Sequence, residues 1–435
     1  MHTSARPEAP IWDPVETAPR ERLRELQLAR LRATVDRTLH RQPVFASRLA
    51  EAGITDAREI ASLDDLARLP FSRKSDLRDN YPFGLLAVPR EEIVRVHASS
   101  GSHGKPTVVG YTRADLAAWS EVMARCMTTA GVRPGMVFHN ANGYGLFTGG
   151  LGFHYGGERI GATVVPVSGG FTARQAMLLS DLGGQALSAT PSYALVIAQG
   201  IRDAGLDPAD LPLEIGLFGG EPWTEEMRRQ LDRDLDIKAV NFYGLSEMCG
   251  PGVAAECVVA RDGLHVQEDH FLIEVVDPES GEPVAEGEDG ELVFTTLAKE
   301  AQPLIRYRTG DVGSVTTEPC ACGRTMTRIA DLHGRLDDML IIRGVNLFPS
   351  NVEHLLLAVE EVGPHYRLFI DRPEQMDEVT VECEPAVPGV DAAGLTERLE
   401  SLLREHTGIR IAVSVVEPGA VPRSEGKAVR VVDRR

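Results

Sequence analysis

From about Val94 to Thr296, short β-branched runs alternate with helical patterns. Thr163-Val164-Val165-Pro166, Ile215-Gly216-Leu217-Phe218 and Glu291-Leu292-Val293-Phe294 are clear runs, and glycine pairs such as Gly169-Gly170 and Gly219-Gly220 turn the chain after several of them. The alternation predicts an α/β domain whose loops gather at strand ends, where ligands usually bind. Ahead of it, Leu23, Leu26, Leu31, Val35 and Leu39 recur at mostly three- and four-residue steps and predict a helix over residues 15–40. Behind it the rhythm changes. Met339–Ile342, Tyr366–Ile370, Val379–Cys383 and Ile411–Val416 read as strands, and Asn351–Glu361 and Leu395–His406 as helices. That order, βαββαβ, predicts a small C-terminal α+β domain of the split-βαβ kind. The expected division is 1–335 and 336–435, with the boundary inside Gly334–Asp338.

The chain has 435 residues, enough for two or three domains at roughly 150 residues each. Its net charge of −19 argues against nucleic acid as a partner, because tracking phosphates needs a basic face. A small anionic ligand needs only a local cluster of donors. No apolar run of a signal peptide follows Met1. Residues 134–157 lack Asp, Glu, Lys and Arg, but Asn140, Asn142, His139, His154 and many glycines make a poor membrane span. They read as a buried or site-lining loop, and no membrane partner is expected. Six cysteines in this length suggest no disulfide framework, which points to the reducing cytoplasm.

Several short clusters carry candidate chemistry. Ser99-Ser100-Gly101-Ser102-His103-Gly104-Lys105-Pro106 follows a predicted strand at Ile93–His97. Its hydroxyls, glycine N–H groups and Lys105 could cradle phosphate oxygens. A Walker A loop would need Gly at position 99 and Ser or Thr at 106. Taken alone, the cluster is equally a surface turn of small residues. Tyr243-Gly244-Leu245-Ser246-Glu247 is a strand end with a turn. Tyr307-Arg308-Thr309-Gly310-Asp311 sets an Asp after a Gly, suited to a ribose diol or to an Asx turn. Gly334-Arg335-Leu336-Asp337-Asp338 lies at the expected boundary, and Pro422-Arg423-Ser424-Glu425-Gly426-Lys427 close to the C-terminus, where a lone lysine is normally solvated.

In order and spacing these clusters resemble the adenylate-forming superfamily of acyl-CoA synthetases, adenylation domains and luciferases, and most nearly its phenylacetate–coenzyme A ligase branch. Gly145-Leu146-Phe147-Thr148-Gly149-Gly150, Phe218-Gly219-Gly220-Glu221-Pro222-Trp223, Gly250-Pro251-Gly252-Val253-Ala254 and Ile341-Ile342-Arg343-Gly344-Val345-Asn346 are branch-like too, so the resemblance covers nearly the whole chain. It implies a large N-terminal α/β domain with ATP and acyl sites, and a small mobile C-terminal domain. It implies an ATP-dependent aryl-CoA ligase: a carboxylate attacks the α-phosphate, pyrophosphate leaves, and coenzyme A takes the acyl group from the adenylate. By the same resemblance Ser99, Ser100, Gly101, Ser102, Gly104 and Lys105 hold the β/γ-phosphates, Glu247 binds Mg²⁺ and Asp311 takes the ribose hydroxyls. Gly219, Gly220, Glu221, Asn241, Tyr243, Gly244 and Ser246 flank the adenine or complete the ATP site. Arg335 approaches the ribose or phosphate, and Lys427 bridges the carboxylate and α-phosphate oxygens. Asn142, Tyr144, Phe147 and Gly149 line the acyl pocket. Asp337 matches the hinge on which the small domain rotates, since the lysine must move aside to admit the thiol.

The departures from the family are informative. His103 stands where the phosphate loop has Thr, and Asn241 where Asp is common; an amide can still accept from the exocyclic amine. Asn142 replaces a Tyr of the aryl pocket. An unpaired amide in an apolar pocket costs about 1–3 kcal/mol. Either Asn142 meets a hydroxyl or amino group on the acid, as in a hydroxy- or aminobenzoate, or it bonds to backbone or water and the pocket takes phenylacetate. Some members of the branch combine Cys-x-Cys-Gly with an upstream Cys and His. Here those are Cys320, Cys322, Cys257 and His265, a set for a closed structural Zn²⁺ site, with Cys249 and His270 as substitutes. Four unconnected side chains are the alternative. A carrier-protein thiol or an amine as acceptor, or a ligand-binding paralogue without turnover, is compatible with the same motifs. A homodimer is common in the branch, though no residue here selects it.

Overall fold

The computed structural model describes residues 9–99, 106–336, 338–343, 345–373, 376–424 and 426–435. Strands Thr163–Val165, Val137–Asn140, Ala186–Ala189, Ile215–Gly219 and Lys238–Leu245 lie side by side in that order and run parallel. Helices Gly149–Ile160, Thr172–Asp181, Pro191–Asp203 and Glu225–Leu235 supply the crossovers that parallel pairing demands. Beyond Leu245 the alternation ends. Gly250–Glu256, Leu264–Val266, Arg328–Arg335, Tyr307–Thr316, Gly290–Thr296 and Phe271–Val276 extend the same eleven-stranded sheet in antiparallel pairs. The expected alternation up to Thr296 is therefore too long. Strands such as Gly290–Thr296 are buried along their whole length, which erases the two-residue period that marks most antiparallel sheets.

Other boundaries move for local reasons. The predicted helix over 15–40 is a 3₁₀ turn, Pro14–Thr17, and a helix, Arg20–Arg41; Pro19 disfavours helical backbone at Ala18 and separates them. The strand expected at Ile93–His97 is Arg95–Ser99, and it forms a separate hairpin with Thr107–Tyr111. Residues 134–157 are not simply a loop. Their second half enters the helix Gly149–Ile160 because its glycines are a packing surface. A Cβ at Gly152 would fall 2.8 Å from Trp119 and Pro251 side-chain atoms, and one at Gly156 would fall 2.7 Å from Met123. Close approach to the helix Arg113–Thr129 offsets the low helix propensity of glycine, about 1 kcal/mol per residue.

The C-terminal region has its own apolar core, with Leu356, Leu368, Val381, Leu399 and Ile411 at its centre. Its four-stranded sheet runs Ile411–Val415, Glu378–Pro385, Val362–Asp371, Val431–Asp433, covered by helices Pro349–Leu357 and Ala392–Thr407. The strand expected at Met339–Ile342 does not join that sheet. Leu340–Ile342 pairs instead with Val345–Leu347, in a turn that holds Arg343 at φ +52°. The vacated edge is filled by Val431–Asp433, which pairs parallel with Val362–Asp371. No helix among the described residues is long and apolar enough to cross a membrane.

Candidate active site

Asp311 and Arg335 stand opposite each other on adjacent antiparallel strands. Arg335 Nη1 donates to Asp311 Oδ1 at 3.1 Å, and Tyr243 Oη donates to Asp311 Oδ2 at 2.5 Å. Tyr243 comes from the last parallel strand and stacks on Phe294 with ring centroids 5.9 Å apart. Burial, and then the Asp311 charge, raise its pKa well above the usual phenol value, so it remains a donor. The carboxylate is thereby oriented by two donors from different strands.

Lys427 arrives from the far end of the chain. Gly220 has φ +83°, and a Cβ there would stand 3.7 Å from Lys427 Cε. Thr190 Oγ1 donates to Gly426 O at 2.9 Å. Glu221 accepts from Ala428 N at Oε2 and from Ser192 N at Oε1, both at 2.8 Å. Arg430 Nη2 donates to Ser192 Oγ at 3.3 Å. Lys427 still meets the water of the cleft, yet the protein crowding it lowers its ammonium pKa from the ordinary lysine value. Glu221 opposes that shift and Arg335 adds to it.

Glu247 is buried in the turn after the strand Lys238–Leu245. The turn is held by its carbonyls: Lys299 Nζ donates to Glu247 O at 2.6 Å and Tyr111 Oη to Ser246 O at 3.1 Å. Gly244 is required here, since a Cβ would fall 1.8 Å from Gly250 O. A Cβ at Gly219 would fall 2.2 Å from Phe242 O on the neighbouring strand. Asn241 N donates to Glu256, which Arg228 grips through two bonds of 2.7 Å. Ser99 ends the strand that precedes the segment expected to hold phosphates, and its hydroxyl is buried without a hydrogen-bond partner among the described residues. Ser100, Gly101, Ser102, His103, Gly104, Lys105 and Asp337, the position expected at the hinge, lie outside the described residues.

The segment expected to line the acyl pocket is anchored by two residues that no motif marked, Asn140 and Ser188. Asn140 Nδ2 donates to Gly150 O and to Tyr144 Oη, each at 2.8 Å, which fixes its amide orientation. Its Oδ1 then accepts from Asn142 N, Asn142 Nδ2 and Ser188 Oγ. Asn142 Nδ2 also donates to Ser188 Oγ at 2.9 Å. The amide nitrogen of Asn142 is thus spent on the protein, while its Oδ1 has no hydrogen-bond partner among the described residues. That oxygen lies 3.8 Å from where a Cβ at Gly149 would stand. Tyr144 Oη also lies 3.1 Å from His154 Nδ1, and burial pushes its phenol up to about 12. Phe147, expected on the pocket wall, is 53% exposed.

Cys257, His265, Cys320 and Cys322 come together, with their ligand atoms all within 4.8 Å of one another. Cys257 Sγ and Cys320 Sγ are 3.7 Å apart, and Cys322 Sγ is 3.5 Å from His265 Nε2. Zinc bonds of about 2.3 Å to sulfur and 2.0–2.1 Å to nitrogen give tetrahedral edges of roughly 3.8 and 3.6 Å. The spacing therefore fits Zn²⁺. Three crowded thiols also need a cation to ionise together: hydrogen bonds from Cys257 and Cys320 hold Cys322 well below the usual thiol range, while the contact with Cys257 pushes Cys320 far above it. Cys249 and His270 are not part of the cluster.

The AMP-binding enzyme family matches residues 26–297, and the AMP-binding enzyme C-terminal domain matches residues 344–435. The chain is 52% identical to a phenylacetate-coenzyme A ligase of Thermus thermophilus, over 97% of this chain and 98% of that protein. It is 46% identical to a phenylacetate-coenzyme A ligase of Escherichia coli, over 97% of each. It superposes on 2-hydroxyisobutyryl-CoA ligase in the postadenylation state with a TM-score of 0.91 at 31% identity, covering 97% of this chain and 92% of that one. Against the same enzyme in the thioesterification state the TM-score is 0.73 at 32% identity, covering 97% and 91%. The arrangement of the two domains is thus nearer the postadenylation one. The chain belongs to the AMP-binding enzyme family, on the phenylacetate–coenzyme A ligase branch of the adenylate-forming superfamily.

Proposed function

We propose that this protein is an AMP-forming aryl-CoA ligase, which activates an aromatic acid with ATP and passes it to coenzyme A. The observation that carries the reading is Lys427 seated over Gly220, within electrostatic reach of Asp311 and Arg335. The acid's carboxylate attacks the α-phosphate, the bond to the β-phosphate breaks, and pyrophosphate leaves. Two anions must meet, so positioning and charge neutralisation dominate. Lys427 neutralises the carboxylate and α-phosphate oxygens, and Arg335 adds positive charge at the ribose or phosphate. Asp311, oriented by Tyr243 and Arg335, accepts the ribose hydroxyls. Gly219, Gly220, Glu221, Asn241, Tyr243, Gly244 and Ser246 flank the adenine or complete the ATP site, and the segment from Ser99 to Lys105 holds the outer phosphates. Glu247 would hold Mg²⁺, whose positive charge would offset the negative charge of the phosphates. The small domain, residues 336–435, then swings about Asp337 away from residues 1–335 and withdraws Lys427. The thiol of coenzyme A attacks the acyl carbon and AMP leaves.

The finer reading concerns the acid. Asn142 offers an acceptor and no free donor, which favours an aromatic acid carrying a hydroxyl or amino group at that point of the pocket. Preference for unsubstituted phenylacetate over hydroxy- and amino-substituted acids would overturn it. Structural Zn²⁺ at Cys257, His265, Cys320 and Cys322 belongs to the same proposal, as does the cytoplasm, which is supported by six unpaired cysteines. Acid-dependent release of AMP with coenzyme A as the sole acceptor tests the ligase reading; a requirement for a carrier protein or an amine would overturn it.

A further inference from the structure

We propose that Glu221 is a positioning residue whose side chain latches the small domain in the arrangement that brings Lys427 to the nucleotide site. The inference rests on the ligase reading above and goes beyond the adenine-flanking role of this segment. One carboxylate spans both domains. Oε1 accepts from Ser192 N in the first turn of the helix Pro191–Asp203, where backbone N–H groups have no intrahelical partner. Oε2 accepts from Ala428 N, the residue after Lys427. A carboxylate at a helix N-terminus is favoured by the helix dipole, so the large domain holds Glu221 ready. The small domain completes the pair only when Lys427 is in place, because its N–H comes from the adjacent residue.

Neighbouring contacts follow the same line. Thr190 Oγ1 donates to Gly426 O on one side of Lys427, and Arg430 donates to Ser192 Oγ on the other. Among the described residues, Glu221 is the one acceptor in this strip that is bonded to a backbone N–H from each domain. Its charge also favours the protonated form of Lys427. Each carboxylate oxygen of Glu221 accepts one of these two N–H groups, so substituting the side chain breaks the latch and leaves the backbone of Gly219–Glu221 in place.

The test is Glu221→Gln, which keeps the size but turns an N–H₂ toward one of the two N–H donors. Two half-reactions are measured on one preparation: acid-dependent ATP–pyrophosphate exchange, and thioester formation from supplied acyl-adenylate and coenzyme A. Loss of a charge-assisted bond predicts a fall in exchange on the order of 10- to 100-fold. Thioester formation should hold or rise, since it needs the lysine withdrawn. Retained thioester formation also establishes that the variant folds. Equal loss of both half-reactions, unchanged exchange, or a raised KM for ATP with unchanged kcat would each overturn the latch. Absence of exchange in the unsubstituted protein would instead overturn the ligase reading on which it stands.

Discussion

Lys299 holds Glu247 through the backbone: its Nζ donates to Glu247 O at 2.6 Å, and both residues are buried. The ammonium also lies 5.0 Å from the centre of the Tyr111 ring, and Tyr111 Oη holds the preceding carbonyl, that of Ser246. Two consecutive carbonyls of the proposed Mg²⁺-binding turn are thus fixed by a cation–aromatic pair drawn from distant segments.

That arrangement predicts a pH-dependent stability. Burial lowers the Lys299 pKa below the ordinary 10.5, so the unfolded chain binds more protons between the two values. The cost of the buried charge is full below that window, and stability rises with pH across it. In denaturation series from neutral pH to about 10.5, Lys299→Met should lack this alkaline gain. It should also need more Mg²⁺ for half-maximal exchange, because Glu247 O loses its donor. Identical pH slopes and Mg²⁺ requirements in the two proteins would contradict this role.

Lys427→Ala should cut adenylation by on the order of 100-fold or more, as expected for removing a charge aimed at the reacting oxygens. Thioester formation from supplied adenylate should be largely spared. In its proposed role the lysine acts as a cation, and its pKa is lowered. Adenylation should therefore decline as pH rises through that lowered value, ahead of an ordinary lysine. Rapid-quench measurement of each half-reaction across pH checks both statements.

Purification without chelators should yield about one zinc per chain, as the four-ligand geometry requires. Cys322→Ser should lose the metal and lower the melting temperature, because the site joins the chain after Cys257 to the loop at Cys320. Substoichiometric zinc in the wild-type protein, by metal analysis, would remove the site.

Gly152→Ala should destabilise the fold by about 1–3 kcal/mol, the usual range for overpacking. The added methyl meets Trp119 and Pro251 at 2.8 Å, inside a helix contact with no slack. Urea unfolding measures the loss, and a variant as stable as the wild type would show that the helices can separate at no cost.

Much of the candidate site was legible because its residues sit in short ordered clusters. Tyr243, Asp311, Arg335 and Lys427 read as nucleotide-handling positions, and three of them meet through hydrogen bonds. The groups that hold them were not legible. Tyr111, Lys299, Asn140 and Ser188 belong to no motif, and they reach the site only through sheet topology. The Glu221–Ala428 bond joins residues 207 positions apart, beyond any local pattern. In the fold, the parallel strands up to Leu245 carried a clear alternation. The change to antiparallel pairing beyond Leu245 did not show, since strands such as Gly290–Thr296 are buried on both faces and lose the two-residue period. The glycines of Gly149–Ile160 read as loop because local propensity says nothing about a partner helix that needs them small.

The central claim is adenylation of an aromatic acid, and acid-dependent ATP–pyrophosphate exchange tests it most directly. The panel is benzoate, phenylacetate and their hydroxy- and amino-substituted forms. Exchange that depends on Lys427 and is strongest with an acid bearing a hydroxyl or amino group is the predicted result. No exchange with any acid of the panel, from protein that is folded and supplied with Mg²⁺, would contradict the account.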